Sequence, residues 1–290
     1  MRSRPWLLYA VLLALHPQHA RSQNTIGFLA DGTRCRSTDG IFSFDMENSV
    51  LAISNLGGLG PDFGQPPVML IRDVGNVPGG PTVDLRISNK TLYALGRPSH
   101  NFNNGFRTSE NGTFGTIGLG VPRRGNVNSV NIVELRFEFL DGATGQPLSI
   151  SRSFVSFYDF DTTSNSVLKE CLAVRDATET ATTAGSDVGT SIQQVTTASL
   201  LAQSATQPGG GTVGMPYSFC ATEQGTGADN PSDPQNLNEL ERRRAIMYAF
   251  EDVDHFDVTF MVQRDVPDPS YCCGQQSRVF NFGGYSNVLL

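Results

Sequence analysis

Residues 130–161 read Val-Asn-Ile-Val-Glu-Leu-Arg-Phe-Glu-Phe-Leu-Asp-Gly-Ala-Thr-Gly-Gln-Pro-Leu-Ser-Ile-Ser-Arg-Ser-Phe-Val-Ser-Phe-Tyr-Asp-Phe-Asp. From Val133 to Phe139 every second residue is large and apolar, and the residues between them are charged. This alternation is the period-two pattern of a half-buried strand. The segment Asp141–Pro147 contains two glycines and a proline, as turns do, and a second apolar run follows from Phe154 to Phe160. These features predict a β-hairpin that carries two carboxylates to the end of a sheet.

The rest of the chain also consists of short apolar runs separated by turn residues. Only 17% of the residues are charged, and 30 glycines and 16 prolines leave few stretches that favour helices. Further strands are predicted at 42–46, 68–71, 83–87, 245–250, 256–262 and 278–282. We therefore expect an all-β fold, a single antiparallel β-sandwich that is jelly-roll-like, with long loops and at most one or two short helical turns.

The first residues have the pattern of a secretory signal peptide. Arg2 and Arg4 precede an apolar run from Trp6 to Leu15, which is too short to span a bilayer, and small residues follow it. We expect cleavage after Ser22, with Ala20 as the alternative position. The mature chain is then secreted and extracellular, at a cell surface or in a matrix, with no membrane insertion.

This cleavage site defines the predicted domain organisation. Residues 1–22 are the signal peptide, and residues 23–290 form one β-sandwich domain. Within that domain, residues 176–214 form an insert rich in Ser, Thr and Gly. The insert is either a floppy segment or a pair of polar edge strands.

The mature chain is acidic, which bears on its partners. Loss of three arginines with the signal peptide leaves 18 of the 21 basic residues, against 28 acidic ones. Such a charge balance does not favour phosphate backbones or anionic lipids, so we expect no nucleic-acid partner. The expected partners are an extracellular carbohydrate or a matrix or surface protein.

Five cysteines remain after cleavage, and in an oxidising compartment each is a disulfide candidate. They are Cys35, Cys171, Cys220, Cys272 and Cys273. The odd number leaves one thiol free or bonded to another chain. Adjacent Cys272 and Cys273 are expected to bond to different partners, because a ring between neighbouring residues is strained. The pairing stays open.

Two kinds of motif point to carbohydrate. Asn89 and Asn111 begin Asn-x-Thr sequons, which are glycosylation acceptors in exposed loops of secreted proteins. Residues 101–106, Asn-Phe-Asn-Asn-Gly-Phe, combine amides with aromatic rings, as a shallow carbohydrate site does. The predicted ligand-binding residues are Asn101, Phe102, Asn103 and Phe106. The alternative is that the Asn-Gly pair only forms a turn.

Asp159 and Asp161 are the candidate reactive pair. Two residues apart on one strand, they would share a face at a separation of ~6.6 Å. Such carboxylates repel unless they are neutralised, and calcium, with Glu170 or Asp84 completing its shell, would neutralise them. Alternatively, one carboxylate caps a turn and the other lies in solvent. The spacing also suits the acid and base of a glycoside hydrolase.

Several short motifs follow one another in an order that suggests a relationship. They are Asp73-Val74-Gly75, Val83-Asp84-Leu85, Asn111-Gly112-Thr113-Phe114-Gly115-Thr116-Ile117, Leu135-Arg136-Phe137-Glu138-Phe139 and Phe157-Tyr158-Asp159-Phe160-Asp161 before Glu170. This order resembles largely uncharacterised secreted β-sandwich proteins of algae and other protists, over roughly residues 65–175. More distantly, it is similar to β-sandwich modules of bacterial surface and adhesin-like proteins. The resemblance implies a fold and a surface location, and no site residue.

The sequence therefore predicts a secreted extracellular binding module for adhesion or for a matrix, supported by calcium and binding carbohydrate. An extracellular polysaccharide hydrolase that uses the Asp159 and Asp161 pair is the alternative enzyme, and an enzyme is the less favoured class. A structural coat component cross-linked through disulfides is the third hypothesis.

Overall fold

A computed structural model describes residues 41–94, 104–109, 111–121, 129–163, 167–183, 190–195, 217–264 and 277–288, and the structural statements below concern these residues. In chain order the strands are β1 (Phe42–Ser43), β2 (Val50–Ser54), β3 (Val68–Asn76), β4 (Thr82–Asn89), β5 (Gly105–Thr108), β6 (Thr113–Gly120), β7 (Val130–Asp141), β8 (Ile150–Tyr158), β9 (Leu168–Val174), β10 (Glu179–Ala181), β11 (Ile192–Val195), β12 (Tyr217–Ala221), β13 (Ile246–Val253), β14 (His255–Arg264) and β15 (Ser277–Gly283). A 3₁₀ turn covers Leu56–Gly58, and helix α1 covers Glu239–Arg242.

The strands form two sheets. The order in the eight-stranded sheet is β11-β12-β9-β14-β7-β4-β3-β2, and the order in the seven-stranded sheet is β10-β13-β8-β15-β6-β5, with β1 beside β8. Among these strands every pair is antiparallel except the short pair of β1 and β8. The predicted all-β sandwich with one or two short helical turns is thus confirmed for this part of the chain.

Phe137 of β7 lies at the centre of the core between the sheets. Its ring stacks on Phe256 of the same sheet, with ring centroids 5.1 Å apart. Across the sandwich it meets Phe282 edge-on at 5.4 Å and Phe157 at 6.4 Å. Offset and edge-on contacts are the favourable arrangements for aromatic pairs. The alternation along β7 therefore does predict which face of this strand is buried.

The charged residues of β7 lie on the outer face of the eight-stranded sheet, where they are paired. Lys90 Nζ is 3.0 Å from Glu134 Oε1 and 2.6 Å from Asp257 Oδ2. Arg136 Nε is 3.0 Å from Asp257 Oδ1, and Arg175 Nη2 is 3.1 Å from Glu134 Oε1. Burial alone would raise the pKa of Asp257, but hydrogen bonds from Arg136 and Lys90 lower it below its usual value. On this outer face, each of these charged side chains has at least one partner of opposite charge.

The predicted hairpin of β7 and β8 is wrong, because the two strands belong to different sheets. The turn closes as a hairpin would: the Asp141 N–H donates to Gln146 O, and the Leu148 N–H donates to Phe139 O, both at 2.9 Å. Both edges of β7 are, however, already paired with β4 and β14. The chain therefore crosses to the other sheet, where β8 begins at Ile150.

A third layer covers part of the seven-stranded sheet on its outer face. Leu237 and Val288 pack there against Phe154, Tyr158 and other buried side chains. The Tyr158 hydroxyl donates to the carbonyl of Pro234 at 3.0 Å, which ties the loop before α1 to the end of β8. This layer brings the loop of residues 225–238 close to the residues that follow β8.

Of the five candidate cysteines, the structure describes two. Cys171 of β9 and Cys220 of β12 lie opposite each other and form a disulfide, with their Cα atoms 4.1 Å apart. Cys35, Cys272 and Cys273 lie outside the described residues.

The polar insert at 176–214 contains the short edge strands β10 and β11. Residues 184–189 and 196–214 of it are not described. No helix in the described part of the chain is long and apolar enough to cross a membrane.

Candidate functional site

Three of the four predicted metal ligands meet where β8 ends. Asp159 follows β8 with a φ of 67°, a left-handed conformation that Asp tolerates better than most residues, so the strand alternation stops there. Asp161 then approaches Glu170 of β9, and its N–H donates to Glu170 Oε2 at 3.2 Å. We call Asp159, Asp161 and Glu170 the carboxylate cluster. It lies across the two sheets, since β8 and β9 belong to different ones.

A cation that the sequence analysis did not identify already binds two members of this cluster. The Arg278 guanidinium on β15 donates through Nη2 to Asp161 Oδ1 and through Nε to Glu170 Oε1. Both carboxylates are thus ion-paired, and Glu170 is 2% exposed. Of the two carboxylates in the hydrolase hypothesis, Asp159 and Asp161, Asp161 is therefore held in an ion pair with Arg278.

Burial governs the electrostatics of the cluster. It raises the pKa of Asp159 to about 8, and the charges of Glu170 and Asp161 act in the same direction. It also raises the pKa of Glu170 to about 7, although Arg278 opposes that shift. The pKa of Asp161 is raised by burial as well, against Arg278 and Arg244. Asp159 is the least compensated of the three.

The immediate neighbours of Asp159 are mainly amides. Arg107 Nη1 is 3.7 Å from Asp159 Oδ2, and Asn281 Nδ2 is 3.4 Å from the same oxygen. The Asn230 amide donates through Nδ2 to both carboxylate oxygens of Asp159, at 3.1 Å and 3.2 Å. Among the described residues, no three His, Cys, Asp or Glu side chains are arranged to hold a metal ion.

Asp84, the fourth predicted ligand, is not brought to this cluster. It pairs with Leu140 in the register of β4 and β7, whereas Glu170 pairs through Val262 with Asn131. Leu140 and Asn131 are nine positions apart along β7, so Asp84 and Glu170 are ~30 Å apart in the strand direction, at ~3.3 Å per residue. The Asp84 carboxylate instead accepts the N–H of Asp73 at 3.0 Å. Its role at that end of the sheet is local.

A cleft opens beside the third layer, and we call it the loop cleft. It encloses about 150 Å³. Four segments line it: Phe44–Glu47, Asn111–Thr113, Asp233–Gln235 and Gly283–Tyr285. Asp45, Glu47 and Asp233 make its lining acidic.

Two carboxylates of the loop cleft are used locally. Asp45 accepts the N–H of Glu47 at 3.0 Å, and Asp233 accepts the N–H of Gln235 at 2.8 Å. By contrast, no described residue hydrogen-bonds to the side chains of Asn111, Gln235 or Glu47. Of these, Gln235 and Glu47 are exposed side chains outside any glycosylation sequon.

The structure describes only part of the loop that was predicted to bind carbohydrate, residues 101–106. Asn101, Phe102 and Asn103 lie outside the described residues. Phe106 packs, partly buried, against the main core. Of the two sequon residues, Asn111 is exposed, while Asn89 is half-buried and donates to Thr91 O at 2.9 Å.

Sequence reasoning missed Arg278, Asn230 and Asn281 as partners of the cluster, and Gln235 and Tyr285 of the cleft. Arg278 is 117 positions from Asp161, and no local pattern marks such a contact. One local feature of the sequence did point to the loop that contains Asn230. The turn-rich segment 225–234 contains three Asp or Asn residues, which are frequent where a loop is held by side-chain hydrogen bonds.

Comparisons with known proteins find no matching family model and no matching curated protein. The chain has a distant similarity to two solved bacterial structures. The N-terminal domain of the Streptococcus gordonii adhesin Sgo0707 is 11% identical with a TM-score of 0.38, and the match covers 86% of this chain and 64% of that one. The adhesin domain of PrgB from Enterococcus faecalis, bound to DNA, is 11% identical with a TM-score of 0.39, and the match covers 76% and 68%.

These similarities agree with the distant, adhesin-like part of the predicted resemblance. The algal part stays a prediction.

Proposed function

We propose that this chain is an extracellular binding module of the adhesion or matrix type, and that the loop cleft takes a hydroxyl-rich carbohydrate. The observation that supports this proposal is the cleft lining. Gln235 and Glu47 line this cleft and are exposed, and neither the Gln235 amide nor the Glu47 carboxylate has a hydrogen-bond partner among the described residues.

The chemistry of these groups suits sugar hydroxyls. An amide both donates and accepts, and an ionised carboxylate accepts from two hydroxyls at once. A hydroxyl also donates and accepts, so a sugar edge can satisfy an amide and a carboxylate together. Tyr285 also lines this cleft, with its ring packed edge-on against Phe154 at 5.9 Å. Aromatic rings give apolar contact area against which a sugar ring can pack.

The size and charge of the cleft narrow the ligand class. A volume of about 150 Å³ is below the ~300–1,000 Å³ of drug-sized sites. The cleft therefore suits a single sugar unit at the end or edge of a longer glycan. Its three carboxylates disfavour uronic acids and sulfated sugars, because like charges repel at short distance. Neutral or amino sugars are the expected class.

A glycan array followed by calorimetric titration tests this proposal. We expect binding to neutral or amino-sugar glycans, weakened about fivefold by Gln235→Ala, which corresponds to one lost hydrogen bond. Gln146→Ala is the matched control, since Gln146 is an exposed loop amide away from the cleft. Binding that is unaffected by both Gln235→Ala and Glu47→Ala, or a preference for anionic glycans, would contradict the assignment.

A further inference from the structure

We propose that Asn111 carries an N-linked glycan whose first sugar covers the loop cleft, so that glycosylation regulates access to this site. The inference rests on the proposed sugar chemistry of the cleft and gives the cleft an occupant from the chain itself. It joins two observations: residues 111–113 are an Asn-x-Thr sequon, and Asn111 lines the cleft. The attached glycan and a free glycan would compete for one space.

Asn111 is an accessible acceptor on a closed turn. It lies between β5 and β6, and its side chain is exposed. The Ser109 N–H donates to Gly112 O at 2.8 Å, which closes this turn. Thr113, the third residue of the sequon, begins β6 and pairs with Thr108. Glycans attached to such sequons are bulky and need a surface position like this one.

The same turn packs against another wall of the cleft. The Ser109 hydroxyl is 2.9 Å from Gly112 O and also hydrogen-bonds to the carbonyl of Ser232. A Cβ atom at Gly112 would lie only 2.4 Å from Cδ of Pro234, so this close approach requires glycine. These contacts hold the attachment point beside the cleft, and a sugar on Asn111 therefore stays at its mouth.

The modification is a group transfer from a lipid-linked oligosaccharide diphosphate to Asn111. A bond forms between Nδ2 of Asn111 and the anomeric carbon of the first sugar. The bond from that carbon to the diphosphate breaks, Nδ2 loses one proton, and the lipid diphosphate leaves. The first sugar is then one covalent bond away from a side chain that lines the cleft.

This first sugar suits the lining of the cleft. In a eukaryotic secretory pathway it is an N-acetylhexosamine, which is neutral and carries hydroxyls and an amide. The exposed Gln235 amide and Glu47 carboxylate can form hydrogen bonds with these groups. Asp45 and Asp233, which with Glu47 make the lining acidic, do not repel a neutral sugar as they would an anionic one.

Attachment makes even a weakly bound sugar an effective competitor. A group on a short linker has an effective concentration on the order of mM. If this concentration is about four times the Kd of the unattached sugar, the attached sugar fills about four-fifths of the clefts and weakens the binding of a free glycan about fivefold. The remainder of the glycan adds steric exclusion, so fivefold is a lower limit.

The first measurement is the occupancy of Asn111 in the full chain secreted by a eukaryotic host. Enzymatic removal of N-glycans in heavy-oxygen water converts each glycosylated Asn into a labelled Asp, which peptide mass spectrometry locates. A sample without the enzyme corrects for spontaneous deamidation of the Asn111-Gly112 pair. We expect label at Asn111, and its absence from the secreted chain would overturn the proposal.

The second measurement is glycan affinity by calorimetric titration. Asn111→Gln removes the acceptor and keeps an amide, whereas Thr113→Ser keeps the sequon and is the matched control. Asn89→Gln removes the other sequon, which does not line the cleft. Asn111→Gln should bind neutral or amino-sugar glycans at least about fivefold more tightly than the unaltered chain and both controls. Equal affinities in all four proteins would overturn the inference and leave the proposed function intact.

Hydrogen exchange separates the two proposals if Asn111→Gln binds no free glycan. A sugar lying in the cleft should slow amide exchange in Phe44–Glu47 and Asp233–Gln235 of the glycosylated chain, relative to Asn111→Gln. Slower exchange without free-glycan binding by the variant would refute the proposed carbohydrate function and support the glycan cover. Unchanged exchange in both segments would overturn the glycan cover.

Discussion

Replacing Asp159 by Asn should flatten the pH dependence of stability. Burial raises the pKa of Asp159 from 3.8 to about 8 in the folded chain. Between these values the folded state binds more protons than the unfolded state. Stability therefore falls as the pH rises from about 4 to about 8, and it is constant above that. Asn carries no charge at any of these pH values, so its contribution does not change.

The magnitude follows from the same shift. Each pKa unit corresponds to ~1.4 kcal/mol, so the cost of ionising Asp159 reaches at most about 6 kcal/mol above pH 8. Between pH 5 and pH 9 the change is about 4 kcal/mol. Glu170 and Asp161 also have raised pKa values and contribute with the same sign. The difference between the unaltered chain and Asp159→Asn isolates the residue of interest.

The assay is urea unfolding at pH 5 and pH 9 for the unaltered chain, Asp159→Asn and Asp252→Asn. Asp252 is the matched control, because it is also left-handed, with a φ of 53°, but is exposed on β13. The unaltered chain and Asp252→Asn should lose about 2–4 kcal/mol more than Asp159→Asn between the two pH values. Asn also tolerates the left-handed conformation, so the substitution adds little backbone strain. Equal pH profiles for all three proteins would refute the view that Asp159 is a buried, poorly compensated carboxylate.

Two further predictions concern the scaffold. The double variant Cys171→Ala/Cys220→Ala should lower the free energy of unfolding by up to about 4 kcal/mol, because the disulfide closes a loop across 49 positions. Urea unfolding of the reduced, unaltered chain should give the same loss. An unchanged urea midpoint in the double variant would contradict this prediction. Phe137→Ala should lower the free energy of unfolding by about 3–5 kcal/mol, because it leaves a cavity at the centre of the core. Phe63→Ala is the control: this side chain is 78% exposed, so its loss should change stability by less than ~0.5 kcal/mol. Similar losses in both variants would contradict the placement of Phe137.

The parts of the fold that follow from local alternation were predictable. Every second residue from Val133 to Phe139 is fully buried, as the pattern predicts. The partner of β7 was not predictable, because the turn at 141–147 favours a local hairpin and both hydrogen-bonding edges are occupied by distant strands. Pairing between distant strands depends on the whole set of competing edges, which no short window of sequence contains.

The residues of the candidate site also differ in whether the local sequence could predict their positions. Asp159, Asp161 and Glu170 are within twelve positions of one another, and the chain reverses between them, so their proximity was predictable. Arg278 comes from β15, and its binding to Asp161 and Glu170 changes the chemistry that the acidic pair alone suggests. Asp84, whose placement depends on long-range register, lies at the other end of its sheet.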